Sequence, residues 1–383
     1  MVFSHGLSGT RNAYSHITGS IASHGMVVIA PEHRDGSAPI SFINNQDGSP
    51  PKVINYWSLQ HYPQEEVYQN VADSRNHQLK IRLWELGLVH DALLKLDNGV
   101  PLTNIISNPK HPHPLSMFAS TLDVHRPGKI AWSGHSFGAA AIVQFIKSIF
   151  YPFDPRQGSI SLYNPSRTSP LLKQITPSSP ISLLDVWTVP LKKLNTTYWL
   201  WEKPLPCYAD MTTGSPPLAI LSEAFYKWEM NLNNTKELIS PPPNQKCPSQ
   251  IKPHIFYPLS SAHLSQSDFG HLYPWLTKKL FHAQEPERTM RLNVRAILES
   301  LRRSGIRVAD TSVADMEGVA MVEGEKLGQE GGQDFGIFAT SGRVRGWVAV
   351  DLGTEGKEGV QEGKRSIEAN GPMEAVVEGE VKA

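Results

Sequence analysis

The chain has 383 residues, with 36 lysines plus arginines set against 36 aspartates plus glutamates, so its formal net charge is zero. It lacks the basic excess of a nucleic-acid protein, and no run of about 18 apolar residues offers a transmembrane helix. Two cysteines, Cys207 and Cys247, are too few for a disulfide framework or a Cys-rich zinc site, and with no leader-like segment ahead of Phe3 they point to a cytoplasmic chain.

The sequence opens in what reads as the end of a buried strand, Val2-Phe3, followed by the turn His5-Gly6-Leu7-Ser8-Gly9. Small and apolar residues from Asn12 to His24 fit one helix. Met26-Val27-Val28-Ile29-Ala30 is a β-branched run stopped by Pro31, the pattern of a buried parallel strand. Strand end, glycine turn, helix and strand begin a doubly wound α/β sheet. Residues 36–63 are rich in Gly, Pro, Ser and Asn and read as loop. Val67, Val71, Leu79, Leu83, Leu86, Val89, Leu93 and Leu96 then recur at helical spacing, and Gly99 follows as a stop signal.

Lys129-Ile130-Ala131-Trp132-Ser133 is the next expected strand, with helical spacing resuming through Ile142, Phe145 and Ile149. Residues 151–180 read as an inserted loop. Leu183-Leu184-Asp185 and Leu205 to Asp210 each suggest the end of a short apolar run, and His254 to Pro258 a further strand. Ser265 to Leu280 reads as a helix. From Met316 onward the chain holds 14 of the 29 glycines and one of the 30 prolines, with many glutamates. That composition predicts a tail that buries no core.

Between the strand at 129–133 and its following helix lies Gly134-His135-Ser136-Phe137-Gly138, a G-x-S-x-G pentapeptide. Set between strand and helix, it has the context of a nucleophile elbow: Ser136 in a tight turn, Gly134 and Gly138 allowing helix and strand to approach closely. A serine hydroxyl needs a base, and the base an orienting carboxylate, in the chain order Ser, Asp or Glu, His. Of the downstream histidines His254, His263, His271 and His282, only His263 falls in a small-residue loop straight after a strand. For the acid, Asp185 and Asp210 both follow apolar runs, and the pattern does not separate them. Asp268 reads as a helix residue. The oxyanion hole calls for two backbone N–H donors; the turn after the first strand supplies Leu7, and the residue after the nucleophile supplies Phe137.

Taken together, Phe3-Ser4-His5-Gly6-Leu7, Ala22-Ser23-His24-Gly25 and Glu32-His33-Arg34-Asp35-Gly36-Ser37-Ala38 resemble the opening of the platelet-activating factor acetylhydrolases, a calcium-independent phospholipase A2 group. The elbow resembles theirs, with Ala139 where the family usually has glycine. Leu184-Asp185-Val186-Trp187 is similar to the family's acid motif, and the resemblance therefore implies Asp185 rather than Asp210. His263 and the Asp268-Phe269 that follows resemble the family's histidine loop. The resemblance spans residues 2–282. It implies an α/β-hydrolase fold, mostly parallel and doubly wound with helices on both faces. It further implies a Ser136–Asp185–His263 triad, no metal or other cofactor, and hydrolysis of the sn-2 acetyl or short acyl ester of a phospholipid. The family's N-terminal strands have no counterpart ahead of Val2.

The expected organisation is a catalytic domain over 1–285, a helical extension over 286–315 and a Gly/Glu-rich, disordered tail over 316–383. The partner is a phospholipid or a lipid–water interface, with no nucleic acid. Phe269, Leu272, Tyr273, Trp275, Leu276 and Leu280, with Lys278 and Lys279 nearby, give the segment after His263 an apolar face. Packing against the sheet is the simpler role for most of them, contact with a membrane interface the functional one. The charged cluster Glu32 to Asp35 could brace the site or line it.

Overall fold

A computed structural model describes residues 1–45, 47–57, 67–104, 114–151, 153, 161–192, 198–316, 334, 336–339 and 344–352. Eight strands follow in chain order: β1 (Val2–Ser4), β2 (Ile40–Ile43), β3 (Lys52–Asn55), β4 (Trp132–His135), β5 (Ile181–Leu184), β6 (Leu218–Ile220), β7 (His254–Pro258) and β8 (Trp347–Ala349). Six form one sheet in the order β1-β4-β5-β6-β7-β8; β1, β4, β5, β6 and β7 run parallel, and β8 pairs antiparallel with β7 at the edge. The residues of β4 and β5 are buried throughout, as strands covered on both faces must be. The helices Val67–Asp97 and Phe137–Phe150 pack in a core that includes Leu79, Leu83, Leu86, Ile142 and Phe145. The helices Ser15–Ser23 and Pro286–Arg303 share the second core, with Ile17, Ile21, Met290 and Ile297. The mostly parallel sheet between helical layers is the α/β-hydrolase architecture expected from the sequence.

Several expectations are corrected. The run at 26–31 is half-buried rather than a core strand. It joins β1 by a single parallel bridge, Val2 to Ile29, because it lies outside β1 and Pro31 ends its pairing. Leu205–Asp210 is no strand: Pro206–Ala209 is a 3-10 turn. The strand that does pair with β5 is β6, only three residues long and preceded by Pro216-Pro217, too short for a periodicity signal. Residues 36–63, read as loop, contain the antiparallel β2–β3 hairpin.

The expected helix from Ser265 to Leu280 breaks into a 3-10 turn, His263–Gln266, and two helices, Phe269–Leu272 and Pro274–Phe281. Pro274 lacks the N–H needed to continue the first. Of the 151–180 insertion, 152 and 154–160 lie outside the described residues; Leu171–Gln174 makes a helical turn with Leu171 buried.

Two corrections concern the C-terminal third. Pro286–Arg303, read as an extension, buries Met290, Leu292, Ile297, Leu298 and Leu301 in the second core. In the tail read as disordered, Ile337, Phe338, Val344 and Trp347 are buried, and Trp347 stacks on Phe256 of β7 at 5.2 Å. Arg295 and Asp334 close a buried ion pair at 2.7 Å across the same region. Averaging over a glycine-rich composition hid this short apolar stretch. Residues 317–333 and 353–383 lie outside the described residues.

Candidate active site

β4 and β5 are neighbours and β7 lies beyond β6; the chain leaving each of these three strands carries one of the three candidate residues. Ser136 follows β4 directly, with φ +55° and ψ −118°, a conformation unusual for a residue with a side chain. Its N–H is held by the Leu184 carbonyl of β5. The glycines on either side are obligatory. A Cβ at Gly134 would lie 2.6 Å from the Gly138 carbonyl carbon, and one at Gly138 2.0 Å from the Ser4 carbonyl oxygen. Ala139 fits without conflict and is fully buried.

Asp185 follows β5 directly, also at positive φ (+42°). Its Oδ2 meets His263 Nδ1 at 2.9 Å, while its Oδ1 accepts the Ser222 N–H. Burial pushes the Asp185 carboxyl above its ordinary pKa, and the hydrogen bonds from His263 and Ser222 oppose that push. His263 lies past β7 between two rings: Phe225 stacks on it at 4.4 Å and 8°, and His135 lies at 4.4 Å and 35°. The loop carrying it is pinned to the helix Glu223–Lys227, where Glu223 accepts the Ser260 N–H and donates its own N–H to Ser261 Oγ at 2.9 Å. Ser136 is 1% exposed and the His263 side chain 19%, so the site opens on the His263 side.

The turn after β1 reaches the same place. A Cβ on Gly6 would lie 3.3 Å from Ser136 Cβ. The Gly6 N–H is taken by Tyr14, the Ser8 N–H by the Ser37 carbonyl and the Gly9 N–H by the Gly6 carbonyl. Among the described hydrogen bonds, the Leu7 N–H of this turn has no acceptor. Phe137 is the first residue of its helix, where an N–H has no intrahelical partner.

The Glu32 to Ala38 motif lies behind this turn as a brace. Arg82, fully buried, donates to the His5 carbonyl at 2.6 Å, to Asp35 at 2.7 Å and to Ser37 Oγ at 2.6 Å, and its guanidinium lies 4.6 Å from the Phe137 ring. Burial pushes Asp35 up, but the Arg82 guanidinium and the hydrogen bond from Ser37 hold it below the ordinary carboxylate range. His33 Nδ1 meets Glu85 at 2.8 Å and its Nε2 meets Ser4 Oγ at 2.8 Å. The His33 N–H in turn donates to His5 Nε2 at 3.1 Å. Burial lowers the pKa of His5, His33 and His135 well below 6.5, so all three are neutral near pH 7.

The structure thus brings together Ser136, Asp185, His263, Leu7, Phe137, Gly134 and Gly138. Asp210 lies apart, its carboxylate engaged by Thr212 and Thr213. Asp268 accepts the Ser15 and His16 N–H groups at 2.6 and 3.0 Å, capping a helix and docking the His263 loop on the segment after β1. The acid motif's Trp187 packs edge-on against Phe137 at 5.8 Å. Sequence reasoning missed Tyr14, Arg82, Glu85 and Phe225, none of which belongs to a catalytic spacing pattern. His135, Asp185 and His263 each bring a possible metal-ligand atom within 4.8 Å of the others, but Asp185 and His263 already satisfy each other, and His135 Nδ1 is engaged by Tyr14 at 2.8 Å.

The segment after His263 faces solvent. Leu272 (65% exposed), Tyr273, Trp275 (70%), Leu280 and Phe281 are exposed, whereas Phe269 and Leu276 are half-buried. Packing on the sheet, the simpler role in the sequence, is corrected for the exposed ones; in the helix Pro274–Phe281 only Thr277 is buried. No helix among the described residues is long and apolar enough to cross a membrane.

Comparison with known proteins gives one family. The family-wide profile described as "Platelet-activating factor acetylhydrolase, isoform II" matches residues 1–317. A Schizosaccharomyces pombe protein named "Putative phospholipase A2" is 26% identical over 326 residues, covering 80% of this chain and 67% of its own length. Platelet-activating factor acetylhydrolases of Canis lupus familiaris and Bos taurus are each 34% identical, over 145 and 148 residues, or 38% of this chain. Those matches span 31% of each mammalian protein.

Proposed function

Since the chain belongs to the platelet-activating factor acetylhydrolase family, we propose that it is a calcium-independent serine esterase. It cleaves the sn-2 acetyl or short acyl ester of phospholipids like platelet-activating factor, releasing lyso-phospholipid and the carboxylic acid. The observation that carries this reading is the 2.9 Å Asp185–His263 hydrogen bond beside a serine held at φ +55°. In it, His263 takes the proton of Ser136 as its Oγ attacks the ester carbonyl, and Asp185 keeps Nδ1 protonated and stabilises the imidazolium. The Leu7 and Phe137 N–H groups hold the oxyanion. The lyso-phospholipid oxygen leaves with the proton from His263. Water, deprotonated by the same imidazole, then releases the acid and restores Ser136. The chemistry asks for no metal or cofactor.

The exposed Leu272, Tyr273, Trp275, Leu280 and Phe281, with Lys278 and Lys279 beside them, form the surface that meets the lipid aggregate. Aromatic residues suit the headgroup level and the lysines its phosphates. Both cysteines are free thiols, in keeping with a reducing, cytoplasmic setting.

The test compares the wild-type chain and Ser136→Ala, in the presence of a calcium chelator, on an acetyl ether phosphocholine and on p-nitrophenyl acetate, with a fluorophosphonate probe. Labelling at Ser136 and lipid turnover, both abolished in the variant, are expected. Labelling and nitrophenyl acetate turnover without lipid turnover would make the chain a general carboxylesterase. Folded protein that takes no label would make it an inactive hydrolase.

A further inference from the structure

We infer that Tyr14 is a positioning residue for this reaction: its hydroxyl ties the oxyanion turn to the nucleophile elbow and fixes the tautomer of the histidine beside the base. The inference rests on the hydrolase reading above. Tyr14 ends the 3-10 turn Arg11–Tyr14, is buried, and packs its ring on Phe3 of β1 at 5.0 Å. Its oxygen meets the Gly6 nitrogen at 3.0 Å and His135 Nδ1 at 2.8 Å.

The direction of the Gly6 bond follows from chemistry, and that of the His135 bond is assigned with it, since the hydroxyl proton has no other acceptor among the described hydrogen bonds. A backbone N–H can only donate, so the phenol oxygen accepts from Gly6 and its proton is free for His135. His135 Nδ1 is then the acceptor, and the imidazole carries its proton on Nε2. Burial keeps both groups in the forms this needs, the phenol protonated and the imidazole neutral.

Gly6 immediately precedes Leu7, and His135 immediately precedes Ser136. A Cβ on Gly6 would come within 3.1 Å of His135 Nδ1 and 3.3 Å of Ser136 Cβ, so turn and elbow are in contact here. Tyr14 OH is the group that hydrogen-bonds to both. It also joins a column of rings that runs through the base to Phe225: Tyr14 to His135 at 5.6 Å, His135 to His263 at 4.4 Å, His263 to Phe225 at 4.4 Å. Without the hydroxyl, two buried polar groups lose their partner, and the Leu7 amide loses its fixed angle to the developing oxyanion. Substrate binding does not use that angle; the transition state does.

The experiment replaces Tyr14 by phenylalanine in the full chain, which keeps the ring and removes the bridge. Rates are expressed per serine labelled by the fluorophosphonate probe, so that misfolded protein does not count. Expected is a kcat lower by about 10- to 100-fold with little change in KM. His135→Asn, whose side-chain oxygen can take the place of Nδ1, loses less rate than His135→Ala. Adding Tyr14→Phe to His135→Ala costs little more, because the bridge is already gone. A Tyr14→Phe enzyme with wild-type kcat per labelled site overturns the inference. If Tyr14→Phe does not fold, equal rates for His135→Asn and His135→Ala overturn it. A wild-type chain that neither labels nor turns over any ester fails the hydrolase reading first, and this inference with it.

Discussion

Two regions flank the site, and they are built on opposite plans. On the oxyanion side, residues 4–9, 32–38 and 82–85 bury an arginine, two carboxylates and two histidines behind one short turn, with their polar groups joined in one network. On the histidine side, the helices Phe269–Leu272 and Pro274–Phe281 leave large apolar side chains in water. The first arrangement costs desolvation and gives geometry: each bond restricts where the Leu7 amide can point. The second contributes little to folding and keeps a surface free. Under the proposed function the site holds an oxyanion rigidly and receives a lipid from an aggregate, and that combination needs both.

The sharpest way to break this contrast is to remove the arginine. Arg82→Met keeps the bulk but leaves Asp35 buried without its cation and the His5 carbonyl without its donor. We expect a loss of about 3–5 kcal/mol in stability, measured by denaturant unfolding, with activity falling further than the folded fraction explains. A nearly neutral effect would mean the network is dispensable. Gly138→Ala comes next. Its methyl would meet backbone at 2.0 Å rather than a movable side chain, so elbow and β1 must part, at a cost of about 1–3 kcal/mol and with the oxyanion turn displaced. Unchanged melting and activity would show that the close approach is not needed.

Acid probes the braced side as a whole. His5, His33 and His135 have folded-state pKa values depressed by burial, so below about pH 6.5 the unfolded chain binds protons that the folded chain does not. Stability is complete above that pH and falls as pH drops, by up to about 1.4 kcal/mol per pH unit for each histidine. Asp185 and Glu85, whose pKa values burial raises, act with the opposite sign in acid and moderate the slope. Melting temperature measured from pH 7 down to pH 5 should therefore fall, and His33→Asn should flatten the curve. A flat wild-type curve would contradict the neutral, buried state of these rings.

What was legible in the sequence divides along the same line. The elbow and the turn after β1 could be read because each compresses its geometric demand into adjacent residues, glycine where backbone touches backbone and serine between them; the strand-end pattern left Asp185 and Asp210 both open, and only the resemblance of Leu184-Asp185-Val186-Trp187 to a family motif chose between them. Arg82 and Glu85 could not, since they sit on a helix whose spacing is explained by Leu79, Leu83 and Leu86, and only the fold turns them toward residues 4–38. Three-residue β6 carries too few positions to show a period. The apolar residues at 337–347 were lost in a glycine-rich average, and the helix after His263 has an apolar face that sequence cannot distinguish from a core face.

That last ambiguity supports the mildest test. Because Leu272 and Trp275 are 65% and 70% exposed, replacing both by serine removes almost no buried surface, and unfolding free energy should stay within about 0.5 kcal/mol of wild type. If the helices meet lipid, each side chain gives up about 1.5–3 kcal/mol of transfer into the interface at most, so binding to phosphatidylcholine vesicles should weaken by about tenfold or more. Turnover of vesicle-borne substrate should fall with it, while hydrolysis of a soluble acetyl ester stays the same. Adding Lys278→Gln and Lys279→Gln should remove a further, salt-sensitive part of binding to anionic vesicles. Equal losses on the soluble and vesicle-borne esters would place these side chains in the catalytic geometry instead, and the contrast between a fixed side and a free one would no longer hold.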